Sequence, residues 1–112
     1  MVTTIDVEAV ARTAVVAALR QLHLTVVGDG STPADESVIE AWKGKEHILV
    51  LVNAAVAPDA PGELAAAQEL DLLRRAARAD AEAWEARVQL GPDMTLRRLD
   101  WRPIEDRGPD AR

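Results

Sequence analysis

The sequence predicts a single α/β domain in which a mixed β-sheet carries two packed helices in the order αβββαββ. Three observations predict it. Apolar residues recur at helical spacing near the N-terminus. The run Ile48-Leu49-Val50-Leu51-Val52 is apolar without interruption, as in a strand covered on both faces. Between 84 and 90 apolar and polar residues alternate strictly after an Ala/Leu-rich helical stretch, as in a strand buried on one side.

The elements follow in order. Thr3 and Thr4 are candidate N-caps for a first helix, with Asp6 and Glu8 in its first turn, where carboxylates suit the dipole. Val7, Val10, Ala11, Ala14, Ala18 and Leu22 form its expected buried stripe. Residues 24–27 are short and β-branched and read as a strand, stopped by Gly28-Asp29-Gly30-Ser31-Thr32-Pro33. Residues 37–42 form the second strand, Gly44-Lys45 the turn, and 48–52 the third. Leu49, Leu51 and Trp84 are expected to pack against helix one at Val10, Ala14 and Ala18. Residues 57–62 are a surface loop and 63–79 a second helix. Strand 84–90 turns at Gly91-Pro92-Asp93 into 95–101. The domain is expected to span 1–103, with 104–112 a charged, frayed tail. Three consecutive strands before the second helix exclude a nucleotide-binding βαβ series.

Composition narrows the function classes. The 112 residues allow one modest core. Phe, Tyr and Cys are absent, which excludes disulfides, thiol nucleophiles and cysteine-ligated zinc. No apolar run approaches the roughly 20 residues that span a bilayer, and the N-terminus lacks the pattern of a secretory signal. A cytoplasmic location without membrane contact is therefore expected. The formal charge of −6 opposes tight binding of nucleic acid, which needs a basic face.

Each residue singled out also has an ordinary structural reading. Asp35, Glu36 and Glu40 flank or sit on the second strand near Asn53 and could gather a divalent cation, although neighbouring surface acids are commonplace. His23 and His47 are the two histidines, neither in a metal or nucleophile–base spacing. Gly28-Asp29-Gly30-Ser31 lacks the forms of a phosphate loop and reads as a turn. Arg74, Arg75, Arg78, Arg87, Arg97 and Arg98 could face phosphates, but Glu69, Asp71, Glu82 and Glu85 interleave with them and suit ion pairing. Trp42, Trp84 and Trp101 read as core or rim packing. Trp101 also fits an interface anchor.

The element order, with the apolar strand 48–52 at its centre, resembles the restriction-endonuclease-like core, and most of all the small Holliday-junction-resolvase-like family. The likeness covers about residues 6–101. It is carried by Leu19-Arg20-Gln21-Leu22 feeding into a strand, the hairpin 37–52, the stretch Leu72-Leu73-Arg74-Arg75-Ala76-Ala77 and the strand 84–90. The resemblance implies an Asp on the second strand and a Glu-x-Lys on the third, which hold Mg²⁺ against a scissile phosphate and orient water. Here Asn53 stands at the Glu position, Ala55 at the Lys position, and the Asp position falls near Ser37. A helix-one Glu of the family aligns with Arg12, one turn after Glu8. The metal-site motif is degenerate.

The leading expectation is a catalytically inactive nuclease-like domain without cofactor. It would bind a protein partner, or itself as a homodimer, in DNA processing, with Leu96, Leu99 and Trp101 of a terminal edge strand as interface candidates. Met94 and Leu96 are expected on one face of that hairpin, Leu99 and Trp101 on the other. The alternative is a Mg²⁺-dependent nuclease rebuilt around Asp35, Glu40 and Asn53. A third reading, from charge alone, is an acidic inhibitor or accessory protein of a nucleic-acid-binding partner.

Overall fold

Residues 6–29 and 38–105 are described by the computed structural model. They form α1 (Val7–Gln21), β1 (Thr25–Gly28), β2 (Val38–Lys43), β3 (Glu46–Val56), α2 (Ala66–Ala79), β4 (Glu82–Leu90) and β5 (Leu96–Ile104). This is the predicted order. The five strands make one sheet in the order β1-β2-β3-β4-β5. All pairings are antiparallel except β3 with β4, which is parallel because α2 carries the chain back across the sheet. β3 is central, as an apolar run without alternation requires.

α1 is capped by Asp6 rather than by Thr3 or Thr4, which lie outside the described residues. Its Oδ1 accepts the N–H groups of Glu8 at 3.0 Å and Ala9 at 3.2 Å. The helix ends at His23, whose φ of 67° is left-handed. Leu24 N–H reaches the Leu19 carbonyl at 3.0 Å and His23 N–H that of Arg20 at 2.9 Å, which releases the chain into β1. The buried face is Ala11, Val15, Val16 and Leu19, whereas Leu22 is 51% exposed. The expected stripe is thus rotated so that the bulkier Val15 and Leu19 enter the core.

Each face of the sheet has its own core. On the α1 side lie Ile39, Ala41, Val50, Val52, Ala86, Val88 and Leu90. On the α2 side Val38, Leu49, Leu72, Ala76, Ala83 and Ile104 pack together, with Leu51 against them. Leu49 and Leu51 therefore sit under α2, not against α1. Trp84 is on the α1 side as expected, but half-buried. α2 begins at Ala66, so Glu63 and Leu64 belong to the preceding loop, and Gln68 Oε1 accepts the Ala65 N–H at 3.1 Å. β5 runs past Trp101 to Ile104, which pairs with Ala83 and is 4% exposed. Residue 104 is part of the sheet, not of a tail. Residues 106–112 lie outside the described residues.

Candidate functional site

β4 departs most from its sequence reading. Its polar residues were expected to face solvent, yet Glu85 is 0% exposed. α2 and the 57–65 loop cover this face of β4, and the register supplies the partner of Glu85. In the β4–β5 hairpin Leu90 faces Leu96, but an irregularity beside Gln89 adds one residue to β5, so Gln89 faces Arg98 and Glu85 faces Arg102. On the other side, the parallel ladder puts Leu51 beside Glu85 and Asn53 beside Arg87. These side chains share the α2 face of the sheet.

Glu85 Oε1 accepts Arg102 Nε at 2.6 Å, and Oε2 accepts Asn53 Nδ2 at 2.8 Å and Arg87 Nη1 at 3.1 Å. Arg102 also donates to Glu69 of α2 at 2.8 Å. Asn53 Nδ2 and Arg87 Nη1 reach the Gly62 carbonyl at 2.7 and 3.1 Å, and Arg87 Nη2 donates to Pro61 O. The cluster therefore ties the 57–65 loop and α2 to the sheet. Hydrogen bonds to Glu85 and then to Glu69 raise the Arg102 pKa, so this guanidinium stays charged. Two carboxylates and two guanidiniums balance, and among the described residues no buried side-chain nitrogen or oxygen lacks a partner. Glu63, Leu64, Glu69, Arg87 and Arg102 line a cleft of about 400 Å³ over the cluster.

The residues expected to form a metal site are placed differently. Asp35, Glu36 and Ser37 lie outside the described residues. Glu40 faces Leu49 on β3, four positions from Asn53, or roughly 13 Å along the strand. Its Oε2 is bonded instead to His47 Nε2 at 2.7 Å. His47 is buried, its Nδ1 donates to the Ala79 carbonyl at 3.2 Å, and its ring stacks on Trp42 with centroids 4.0 Å apart. Neither ring nitrogen is free for a ligand. α1, with Glu8 and Arg12, packs on the Val50 and Val52 face, whereas Asn53 points to the opposite face. The aligned helix-one and third-strand positions do not converge. Among the described residues no group of three or more His, Cys, Asp or Glu could hold a metal ion. Both Glu85 oxygens are already bound by nitrogen donors, so this donor set does not fit Mg²⁺, which takes oxygen ligands.

Of the arginines singled out, Arg87 pairs with Glu85, and Arg98 pairs with Asp100 at 2.7 Å. Glu85 and Glu69 are ion-paired, as their interleaving with arginines suits, but Arg102 is not among the arginines that the sequence singles out. The one signal was their charge complementarity across the hairpin, which depends on the bulge.

Of the interface candidates, Trp101 lines a second cleft. A five-stranded sheet is roughly 20 Å across, and one helix with its side chains covers about 10 Å, so α1 leaves the β5 side of its face partly open. There Leu19, Leu22, Leu24, Ile48, Trp84 and Trp101 line an apolar cleft of about 270 Å³. Leu99 and Trp101 are half-buried against the α1-side core, and Leu96 is 47% exposed. Leu96 faces Leu90, a member of that same core. The bulge therefore brings Leu96 to the face of Leu99 and Trp101, and Met94, in a turn at φ 64°, packs on this side too. The expected division of these four residues between two faces is corrected.

Among the described residues no helix is long and apolar enough to cross a membrane. No protein-family model matches the chain, and no curated protein matches its sequence. Among solved structures it is similar to Hjc, a Holliday junction resolvase from the hyperthermophilic archaeon Archaeoglobus fulgidus, with a TM-score of 0.57 and 18% identity over 88% of this chain and 78% of that one. At that identity the likeness is one of fold: the chain is a single α/β domain with the fold of a Holliday junction resolvase.

Proposed function

We propose that this chain is a nuclease-fold domain that does not cleave DNA and serves as a protein-interaction or dimerisation module in DNA processing. The observation that carries this reading is the state of the α2 face at the end of the central strand. Asn53 stands at the position where the resemblance implies a carboxylate ligand. Its amide nitrogen is spent on Glu85 and on the Gly62 carbonyl. The buried Glu85 is in turn neutralised by Arg87 and Arg102. A divalent cation would have to displace guanidinium groups that also hold the 57–65 loop in place, at the cost of leaving those groups unpaired. The open apolar cleft beside Trp84 and Trp101 supports the interaction role, because tryptophans at a partly exposed apolar site are typical binding anchors.

The test is cleavage by the purified chain of branched, duplex and single-stranded DNA in Mg²⁺ or Mn²⁺. The expected result is no cleavage above a no-protein control. Metal-dependent cleavage that disappears in Glu40→Ala would overturn the reading in favour of a rebuilt nuclease site.

A further inference from the structure

The open part of the α1 face borders uncompensated acid. Along β3 the period of two puts Glu46 on the same face as Ile48 and Val50. Along β4 it puts Glu82, which lies beside Ile48, on the face of Trp84 and Ala86. Both carboxylates are exposed, and no ion pair among the described residues engages either. They stand at the strand ends next to the apolar cleft of Leu19, Leu22, Leu24, Ile48, Trp84 and Trp101. The basic groups at this end of the fold are placed elsewhere. Arg20 lines a groove on the β1 side of α1 with Arg12 and Asp29. Lys43 faces Glu46 from β2, on the side away from β4 and β5. His23 is in the exposed turn after α1.

The shape of the site selects its occupant. Its volume of about 270 Å³ is below the range of small-molecule sites, and two indole nitrogens are too few polar groups to orient a metabolite. It suits one or two bulky apolar side chains instead. Strands β4 and β5, which α1 leaves partly open, are roughly 10 Å wide together, about the diameter of one helix. A helix laid alongside α1 would therefore complete the cover of this face. It would meet Leu22, which is 51% exposed, on one side and the half-buried Trp101 on the other. We infer that the cleft receives a basic amphipathic helix of a protein partner. Leucines or aromatic residues at i, i+3 and i+4 enter the cleft, and lysines or arginines at the helix end meet Glu46 and Glu82. The chain's net charge of −6 steers such a partner toward it. This inference rests on the reading above that the domain acts through protein contact, and it adds the chemistry of the partner.

The probe is a fluorescein-labelled peptide of about 18 residues, long enough to hold a helix, with leucines at helical spacing and lysines on the remaining face and ends. Fluorescence anisotropy should show saturable binding, and circular dichroism should show the peptide gaining helix as it binds. Leu22→Asp changes an exposed position and should weaken binding by at least about tenfold. The double variant Glu46→Lys, Glu82→Lys should weaken it about fivefold at low salt, with the difference fading as salt is added. That variant should prefer the same peptide carrying glutamates in place of lysines. A peptide of identical composition in which leucines and lysines alternate, as in a strand, should bind at least about tenfold more weakly. No saturable binding would overturn the inference, as would equal binding of the alternating or the glutamate peptide by the unaltered chain. Sedimentation showing a dimer that Leu22→Asp dissolves would also overturn it, because a second copy would then fill the cleft. Failure of the peptide to bind leaves the non-cleaving reading standing, and metal-dependent cleavage with peptide binding intact does the reverse, so the two failures are separable.

Discussion

Glu85 shows how much one carboxylate can determine. An ionised side chain at 0% exposure is tolerable only when its lone pairs are met by charged or strong donors, and here three side chains meet them. Arg102 is the member that can be tested cleanly, because it joins Glu85 of β4 to Glu69 of α2. Arg102→Met should destabilise the domain by about 3 kcal/mol, the low end of the range for breaking a buried pair, since Arg87 and Asn53 remain on Glu85. The double variant Arg102→Met with Glu85→Leu should recover most of that loss. Urea unfolding of the two variants is the measurement. Equal losses in both would mean that packing, not the ion pair, is what Arg102 contributes. Sequence reasoning could not reach this cluster, because Glu85, Arg87 and Gln89 alternate with apolar residues and such alternation normally marks a solvated face.

Among the elements, the β4–β5 hairpin decides most of what is distinctive. The order of all seven elements was legible, because Gly44-Lys45 and Gly91-Pro92-Asp93 mark the turns and Ala/Leu-rich helical spacing marks α2. Faces were less legible. An apolar strand buried on both sides has no period, so nothing in 48–52 assigns Leu49 and Leu51 to α2 rather than α1. The bulge beside Gln89 has no sequence marker, and without it Glu85 would face Trp101 instead of Arg102. The turn that sets this register is held by Asp93. Its carboxylate accepts the Thr95 hydroxyl at 2.7 Å and the Thr95 N–H at 3.3 Å, and these bonds lower the Asp93 pKa. A group whose pKa is lowered by folding stabilises the fold above its unfolded value and loses that contribution as pH falls through the folded value. The Thr95 amide should therefore lose its hydrogen-exchange protection as pH drops below the ordinary aspartate value of about 3.9. After correction for intrinsic exchange, Asp93→Asn should flatten that acid dependence, and an unchanged profile would show that Asp93 does not hold the turn.

At the scale of the whole molecule, charge opposes the binding of nucleic acid. The fold is that of a Holliday junction resolvase, and the chain carries a net charge of −6. Binding to duplex or branched DNA draws its affinity mainly from neutralised phosphates, with a logarithmic salt slope near 0.9 per phosphate contacted. Three of the four arginines on β4 and β5 are already engaged with carboxylates. Arg87 and Arg102 share Glu85, Arg102 also holds Glu69, and Arg98 is paired with Asp100. Recruiting any of them to a phosphate would strip a carboxylate of its partner. In Arg102's case that carboxylate is buried, so the gain at the phosphate is offset inside the protein. DNA binding should accordingly be no tighter than roughly 10⁻⁴ M near physiological salt, the weak end of non-specific binding. Fluorescence anisotropy with labelled duplex and four-way junction DNA measures it. A complex with a Kd below about 10⁻⁶ M and a steep salt slope, weakened when Arg74 and Arg75 are changed to Ala, would mean that α2 carries a nucleic-acid face.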